Sequence, residues 1–343
     1  MDQNLTDMKN NLAAESRYRT LTTRLGGVMM VFFSAFTAFS TLVALVLPLL
    51  TERLPYPTGT VLYQLAYGVM YTICFAVPAF CFYLFARRDR NYQPLDLSFY
   101  VPRHVYLYIF AAIAIVSAAG YCNAFLIDLV DFSFLPELEG GSTAATSNVE
   151  LVLMVFTTAI VPGFIEELLF RGVILRNMLP LGRTTAVIAS AFLFGVMHQN
   201  PAQLLYTTVA GLVLGFIYVH TRSLWCTILI HMCNNFLAIV YTVLGERLAP
   251  EIYMVVALLI ELGIFVLGFF SAVYLVLHTR AHGGAAVLAN GTFGTLPEKD
   301  PEYADLPLPL CRRVRLFFSV PMIIFLVLAA LEMAAVLLLN MLL

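Results

Sequence analysis

The sequence predicts an all-α, polytopic transmembrane helix bundle of about nine spans with a cytoplasmic N-terminus. Composition is the first reason. Of 343 residues, 61% are hydrophobic and 12% charged, with a mean hydropathy of +0.87; soluble domains run near ~45–50% apolar and ~25% charged. The second reason is segmentation, since the apolar residues fall into nine runs of helical length. The third is charge placement, since the basic residues gather on alternate connections.

Residues 1–24 are polar, carry Lys9, Arg17, Arg19 and Arg24 and lack an apolar h-region, so they read as a cytoplasmic tail and not a signal peptide. The first three spans follow at 25–50, 59–86 (with Pro78 as a kink) and 104–127, within a unit at 25–148. A four-span core at 149–245 holds runs at 149–179, 184–198, 204–219 and 224–244, the first of them passing Pro162. The closing pair, 252–277 and 316–343, lies in a unit at 252–343. Its polar loop at 279–314 contains Gly283, Gly284, Pro297, Pro301, Pro307 and Pro309 and reads as a flexible linker. The stretch 131–148, acidic and then Gly/Ser/Thr-rich, reads as an outside loop, and Asn290-Gly291-Thr292 as a chance sequon.

Alternating the loops from a cytoplasmic N-terminus tests the span count. The inside receives the four tail cations, Arg87, Arg88, Arg90, Arg103, Arg171, Arg176, Arg183, Arg222, Arg280, Lys299, Arg312, Arg313 and Arg315. The outside receives Arg53 and Arg247 alone. A missed span would scramble that asymmetry. Arg171 is the one inside cation whose place is open between loop and membrane.

The same arithmetic excludes other classes. Net charge is −2 and there is no basic stripe, so no nucleic-acid partner is expected. Five of six cysteines lie in apolar runs and none forms a CxxC pair, which argues against a secreted disulfide scaffold. No internal repeat is visible, unlike the many transporters built from two similar halves. The expected setting is an integral, multi-pass protein in the lipid bilayer, of the bacterial plasma membrane type given the short loops.

Polar side chains inside spans are costly and mark function. They cluster here: Glu166, Glu167 and Arg171 in the fourth run, His198 ending the fifth, His231, Asn234 and Asn235 in the seventh. Glu167 and Arg171 stand at i,i+4 with the acid first, the favourable order for a pair. Glu166 is turned about 100° away, leaving it free for chemistry. His231 and Asn235 share one helix face, as do Phe194 and His198. At about 1.5 Å per residue, His198 lies about 22 Å from Arg183, Asn235 about 20 Å and His231 about 13 Å from Arg222, and Glu166 about 20 Å from Leu179. One site at a common depth is therefore possible.

The motifs Glu-Glu-x-x-x-Arg (166–171), Phe-x-x-x-His (194–198) and His-x-x-x-Asn (231–235), in this order and in apolar helices, resemble the CAAX-processing and bacteriocin-processing intramembrane endopeptidases. Phe170-Arg171-Gly172 and Ser223-Leu224-Trp225 fit as well, and the resemblance covers about 150–240. It implies hydrolysis of a peptide bond in a membrane peptide or lipidated protein by an activated water. Glu166 would be the general base and His198 would help hold the water. His231 and Asn235 would stabilise the oxyanion, and Glu167 with Arg171 would brace the site, making 149–245 the catalytic core. No cofactor is required on this reading.

Rival readings remain at the level of sequence. Glu166, His198 and His231 could hold a zinc ion with an open position, although HExxH is absent. A transporter, or a non-catalytic immunity or scaffold protein of the same fold, would carry the same polar residues. Glu261 and Glu332, also intramembrane acids, read as hydrogen-bonding across the bundle. Gly211-x-x-x-Gly215 reads as a close helix contact, and the 27 Phe and 17 Tyr mostly as lipid-facing bulk and interfacial belt. No pattern specifies an oligomeric state.

Overall fold

A computed structural model describes residues 2–89, 92–129, 147–282, 292–294 and 308–342. Its spans are α1 (Asn11–Thr51), α2 (Thr58–Ala86), α3 (Val105–Leu129), α4 (Asn148–Leu181), α5 (Arg183–Met197), α6 (Pro201–Thr221), α7 (Leu224–Arg247) and α8 (Pro250–His282). A short α9 (Leu310–Phe317) precedes the last span, α10 (Val320–Leu342). Eight of these helices are long and apolar enough to cross a membrane, and α5 is a shorter apolar helix, so the nine runs all appear as helices. The chain is an integral, multi-pass, all-α membrane protein.

Two boundaries differ from the expectation. The polar segment before residue 25 is no separate coil: helix begins at Asp2 and runs into α1, and Ala14, Tyr18 and Thr22 are buried. The run from 316 is broken, with α9 ending at Phe317 and α10 starting at Val320, because Pro321 lacks an N–H and fits only the first turn of a helix. Two short strands also leave the helical class. Tyr100–Pro102 (β1) and Thr292–Gly294 (β2) pair antiparallel, tying part of the linker at 279–314 to the loop after α2. Residues 279–282 of that expected linker continue α8 and 310–314 belong to α9; 283–291, including Asn290 of the sequon, 295–307 and the loop at 131–146 lie outside the described residues.

Contacts between the helix ends confirm that the basic connections share one end of the bundle. Arg24 pairs with Asp89 at 2.5 Å and Arg176 with Asp96 at 3.7 Å, while Arg312 pairs with Glu15. Asn177 exchanges hydrogen bonds with the Gln93 backbone at 2.9 and 3.0 Å. The Tyr100 hydroxyl donates to the Thr221 carbonyl at 2.7 Å; burial pushes it up to about 12, so it stays a donor. The Ser223-Leu224-Trp225 motif acts here too: Ser223 caps α7 and donates to the Tyr100 carbonyl, and the Trp225 indole donates to the Leu97 carbonyl at 3.3 Å. At the opposite end, Ser147 and Glu150 form a capping box that starts α4.

Packing follows side-chain size. Phe32 of α1 meets Phe75 of α2 edge-on with centroids 5.1 Å apart, and Gly26 lets the backbone of α10 approach at Met322. Helices α5 and α6 also pack closely. A Cβ on Gly211 would stand 2.9 Å from the Ala191 Cα, and one on Gly195 would strike the Thr208 hydroxyl. The Gly211-x-x-x-Gly215 contact is thus with α5. Gly211→Ala should cost about 1–3 kcal/mol, the usual range for overpacking, because its neighbour is backbone and cannot turn aside; thermal unfolding in detergent measures it.

That pair forms a hairpin with one short arm. At 15 residues α5 is about 22 Å long, short of a ~30 Å hydrocarbon core. The tip, His198–Asn200, contains Gln199 at φ 53°, and Asn200 caps α6 by accepting from the Ala202 N–H at 2.9 Å. Irregular backbone buried in a bundle must have its polar groups satisfied. Asn123 of α3 donates to the Ala202 carbonyl at 2.8 Å. The Gln199 amide, oriented with nitrogen toward Glu332 of α10, reaches both carboxylate oxygens at 3.1 Å. Glu261 of α8 accepts from the Tyr241 hydroxyl of α7 at 2.8 Å. Both lone acids therefore bond across the bundle.

Candidate active site

The fourth span is not a uniform α-helix. Two π-helical stretches, Val155–Ile160 and Leu168–Leu175, bracket an α-helical turn, Val161–Glu167, that carries the two acids. Pro162 has no N–H to give this continuous helix, and π-stretches of this kind recur at functional sites. Gly163 lets α7 approach here: a Cβ would meet the Met232 backbone nitrogen at 2.9 Å. The two histidine-bearing helices are thereby drawn against the acids.

The adjacent acids point to different partners. Glu167 and Arg171 are both fully buried and pair at 2.7 Å. Arg171 also donates to the Gly211 carbonyl at 3.3 Å and lies 4.5 Å over the Phe194 ring. The same Glu167 oxygen sits 3.0 Å from His231 Nδ1. A carboxylate accepts, so Nδ1 carries the proton and Nε2 is directed elsewhere. That Nε2 lies 4.0 Å from Glu166 Oε2. The gap is too long for a hydrogen bond and suits a water about 2.8 Å from each atom.

Glu166 is 3% exposed and accepts from the Tyr71 hydroxyl at 2.5 Å through Oε1. Its Oε2 has no protein hydrogen-bond partner among the described residues, so water or substrate must satisfy it. The acid lines a cavity of about 340 Å³ with Tyr71, Gln64, Thr157, Gln203 and Asn235 among its walls. A second, smaller cavity of about 60 Å³ is lined by His198, His231, Asn234 and Asn235. Asn235 belongs to both and donates to the Thr158 carbonyl at 3.2 Å. His198 Nδ1 lies 2.8 Å from the Phe194 carbonyl, which holds the proton on that nitrogen and leaves Nε2 as an acceptor.

Glu166, His198, His231 and Asn235 therefore line adjoining cavities, Glu167 bonds to both His231 and Arg171, and Arg171 belongs to this buried network and not to a loop. Glu166, Glu167, Arg171 and His231 are in direct sequence of contact; His198 joins through Phe194, whose ring packs on both histidines at 5.1 and 5.9 Å. Among the described residues no three His, Cys, Asp or Glu side chains are grouped closely enough to hold an ion, while the Nδ1 bond to Glu167 leaves His231 Nε2 available as a ligand.

One part of the site escaped the sequence reading. Tyr63, Tyr67 and Tyr71 line the larger cavity with Thr60 and Gln64, so these tyrosines are not lipid-facing bulk. The signal was legible: positions 60, 63, 64, 67 and 71 form one polar stripe at helical spacing on α2.

A polytopic helix bundle with a buried carboxylate, two oriented imidazoles and a polar cavity defines the class as an integral membrane protein with a buried polar site. The family model described as "Type II CAAX prenyl endopeptidase Rce1-like" matches residues 148–237, the segment that carries all three motifs. A Bacillus subtilis (strain 168) protein named "Putative membrane peptidase YdiL" is 32% identical over 89 residues, 25% of this chain and 36% of that protein. The chain thus aligns with about a third of the length of the curated relative it matches, and α1–α3 and α8–α10 contribute nothing to the family match. No solved structure matches. The resemblance carried by the motifs stands on both comparisons.

Proposed function

We propose that this protein is an intramembrane endopeptidase that hydrolyses a peptide bond in a membrane-associated or lipidated polypeptide. The observation that carries the reading is the buried Glu166, one oxygen held by Tyr71 and the other without a protein partner, beside the His231 Nε2 at 4.0 Å. Glu166 takes a proton from water, and the hydroxide adds to the scissile carbonyl carbon. His198 Nε2 accepts a hydrogen bond from the same water. The Asn235 amide steadies the oxyanion together with His231, which donates from Nε2 in its doubly protonated form; donors act strongly in a low-dielectric site. Glu166 then returns the proton to the amine nitrogen as the C–N bond breaks. Glu167 and Arg171 lock the His231 tautomer and touch no substrate.

The deciding experiment compares wild-type protein with Glu166→Gln, purified and reconstituted, on a library of membrane-tethered peptides. Undiminished cleavage by the variant would refute the assignment. Cleavage that survives exhaustive chelation supports the metal-free route, and loss restored by added zinc supports the ion. The transporter alternative predicts substrate flux that persists in Glu166→Gln and His231→Ala. An immunity or scaffold protein of the same fold predicts no cleavage by either form.

Tyr71 is a positioning residue on this reading. Tyr71→Phe removes one hydrogen bond to a charged acceptor, typically ~1.5–3 kcal/mol, so kcat should fall by about 10- to 100-fold. KM should stay near wild type, because the hydroxyl faces the acid and not the polypeptide; a KM-against-kcat split reads this out.

A further inference from the structure

The larger cavity has a direction. Along α2 its walls run from Tyr71, near the middle of the helix, to Thr60, two residues from the end that begins at Thr58. Along α4 they run from Glu166 to Met154, and Gln203 contributes from the tip of the α5–α6 hairpin. All three belong to the end of the bundle opposite the basic connections. Toward the basic end the path is filled: Phe75, Leu169, Phe170, Ile174, Leu193 and Phe194 are all at most 3% exposed and form one apolar cluster beneath Glu166. Close-packed side chains of this kind leave no room for water or peptide.

The chemistry of the walls is also one-sided. Hydroxyls of Thr60, Tyr63, Tyr67 and Thr157 alternate with the amides of Gln64 and Gln203, and Glu166 is the sole charged side chain among the cavity's lining residues. Hydroxyls and amides suit the N–H and C=O groups of an extended backbone. No lining cation is present to receive a terminal carboxylate or a phosphate.

We infer that the site is entered from the non-cytoplasmic half of the membrane, by an uncharged, extended segment of a membrane-anchored polypeptide cut at an internal bond. This rests on the endopeptidase reading for the cutting, while the direction of entry rests on the cavity and on the charge bias that sets the cytoplasmic end.

Thiol labelling tests the direction without any catalysis. Thr60→Cys at the rim and Gln64→Cys one turn deeper, each in the full chain, are treated with a membrane-impermeant sulfonated maleimide in right-side-out and inside-out vesicles. Modified peptides are mapped by mass spectrometry. Native Cys311, exposed on α9 at the basic end, is the internal control and should label only in inside-out vesicles. The expected result is labelling of the introduced cysteine in right-side-out vesicles, lost in inside-out ones, for whichever variants fold. Labelling from the cytoplasmic side only, from both sides, or from neither while Cys311 reacts, would overturn the inference. Outer-side labelling beside undiminished cleavage by Glu166→Gln would remove the catalytic assignment and leave the entry route standing.

Discussion

Glu166→Gln is expected to lower cleavage by about 10²- to 10⁴-fold, the usual contribution of a positioned general base, with the fold intact. The amide is nearly isosteric and can still accept from Tyr71, so the hydrogen bond at 2.5 Å has a partner in the variant. What it loses is the capacity to take a proton from water, and with it the return of that proton to the leaving amine. The loss should therefore appear in kcat, with thermal unfolding in detergent close to wild type. A variant that binds peptide normally, melts normally and does not cut would fit a base; one that unfolds early would mark Glu166 as structural.

The opposite signature is expected one residue on. Glu167→Gln leaves the Arg171 guanidinium fully buried without its counter-ion, and removing one partner of such a pair typically costs about 3–5 kcal/mol. The bond to the Gly211 carbonyl and the Phe194 ring remain, but neither carries charge. The variant should melt well below wild type and lose activity with its fold, since the same oxygen also holds His231. Replacing both members by apolar residues, Glu167→Leu with Arg171→Met, should recover much of the stability because the uncompensated charge is gone. Activity should not recover, as His231 Nδ1 would have no acceptor to fix its tautomer. Neighbouring acids thus separate cleanly: one substitution stops chemistry in a stable protein, the other unfolds it.

Much of this was open to inspection in the sequence. Helical periodicity alone turned Glu166 away from Glu167 and paired the latter with Arg171, and the ion pair is there. The nine runs could be counted because apolar length is a local property, and their orientation because the cations mark one side. The tyrosine stripe on α2 was equally local, yet it went unrecognised: tyrosine serves the interfacial belt as readily as a cavity wall, and only the neighbouring Gln64 and Thr60 tip the balance.

Other features had no local cause. The hydrogen bonds that hold the α5–α6 tip depend on where α3 and α10 place Asn123 and Glu332. The close approach of α7 to α4 at Gly163, opposite Met232, joins residues some 70 positions apart. The 4.0 Å between Glu166 and His231 is likewise a sum of three helix placements.

By itself, then, the sequence determined that this is a nine-helix membrane bundle whose polar exceptions form one group, since hydropathy, charge bias and helical phase are written residue by residue. Tertiary structure alone decided that Tyr71 holds the acid, that the cavity runs to the end away from the cations, and that an aromatic core closes the other way. Those depend on which faces of separate helices meet, and packing of distant segments settles that only once the chain is folded.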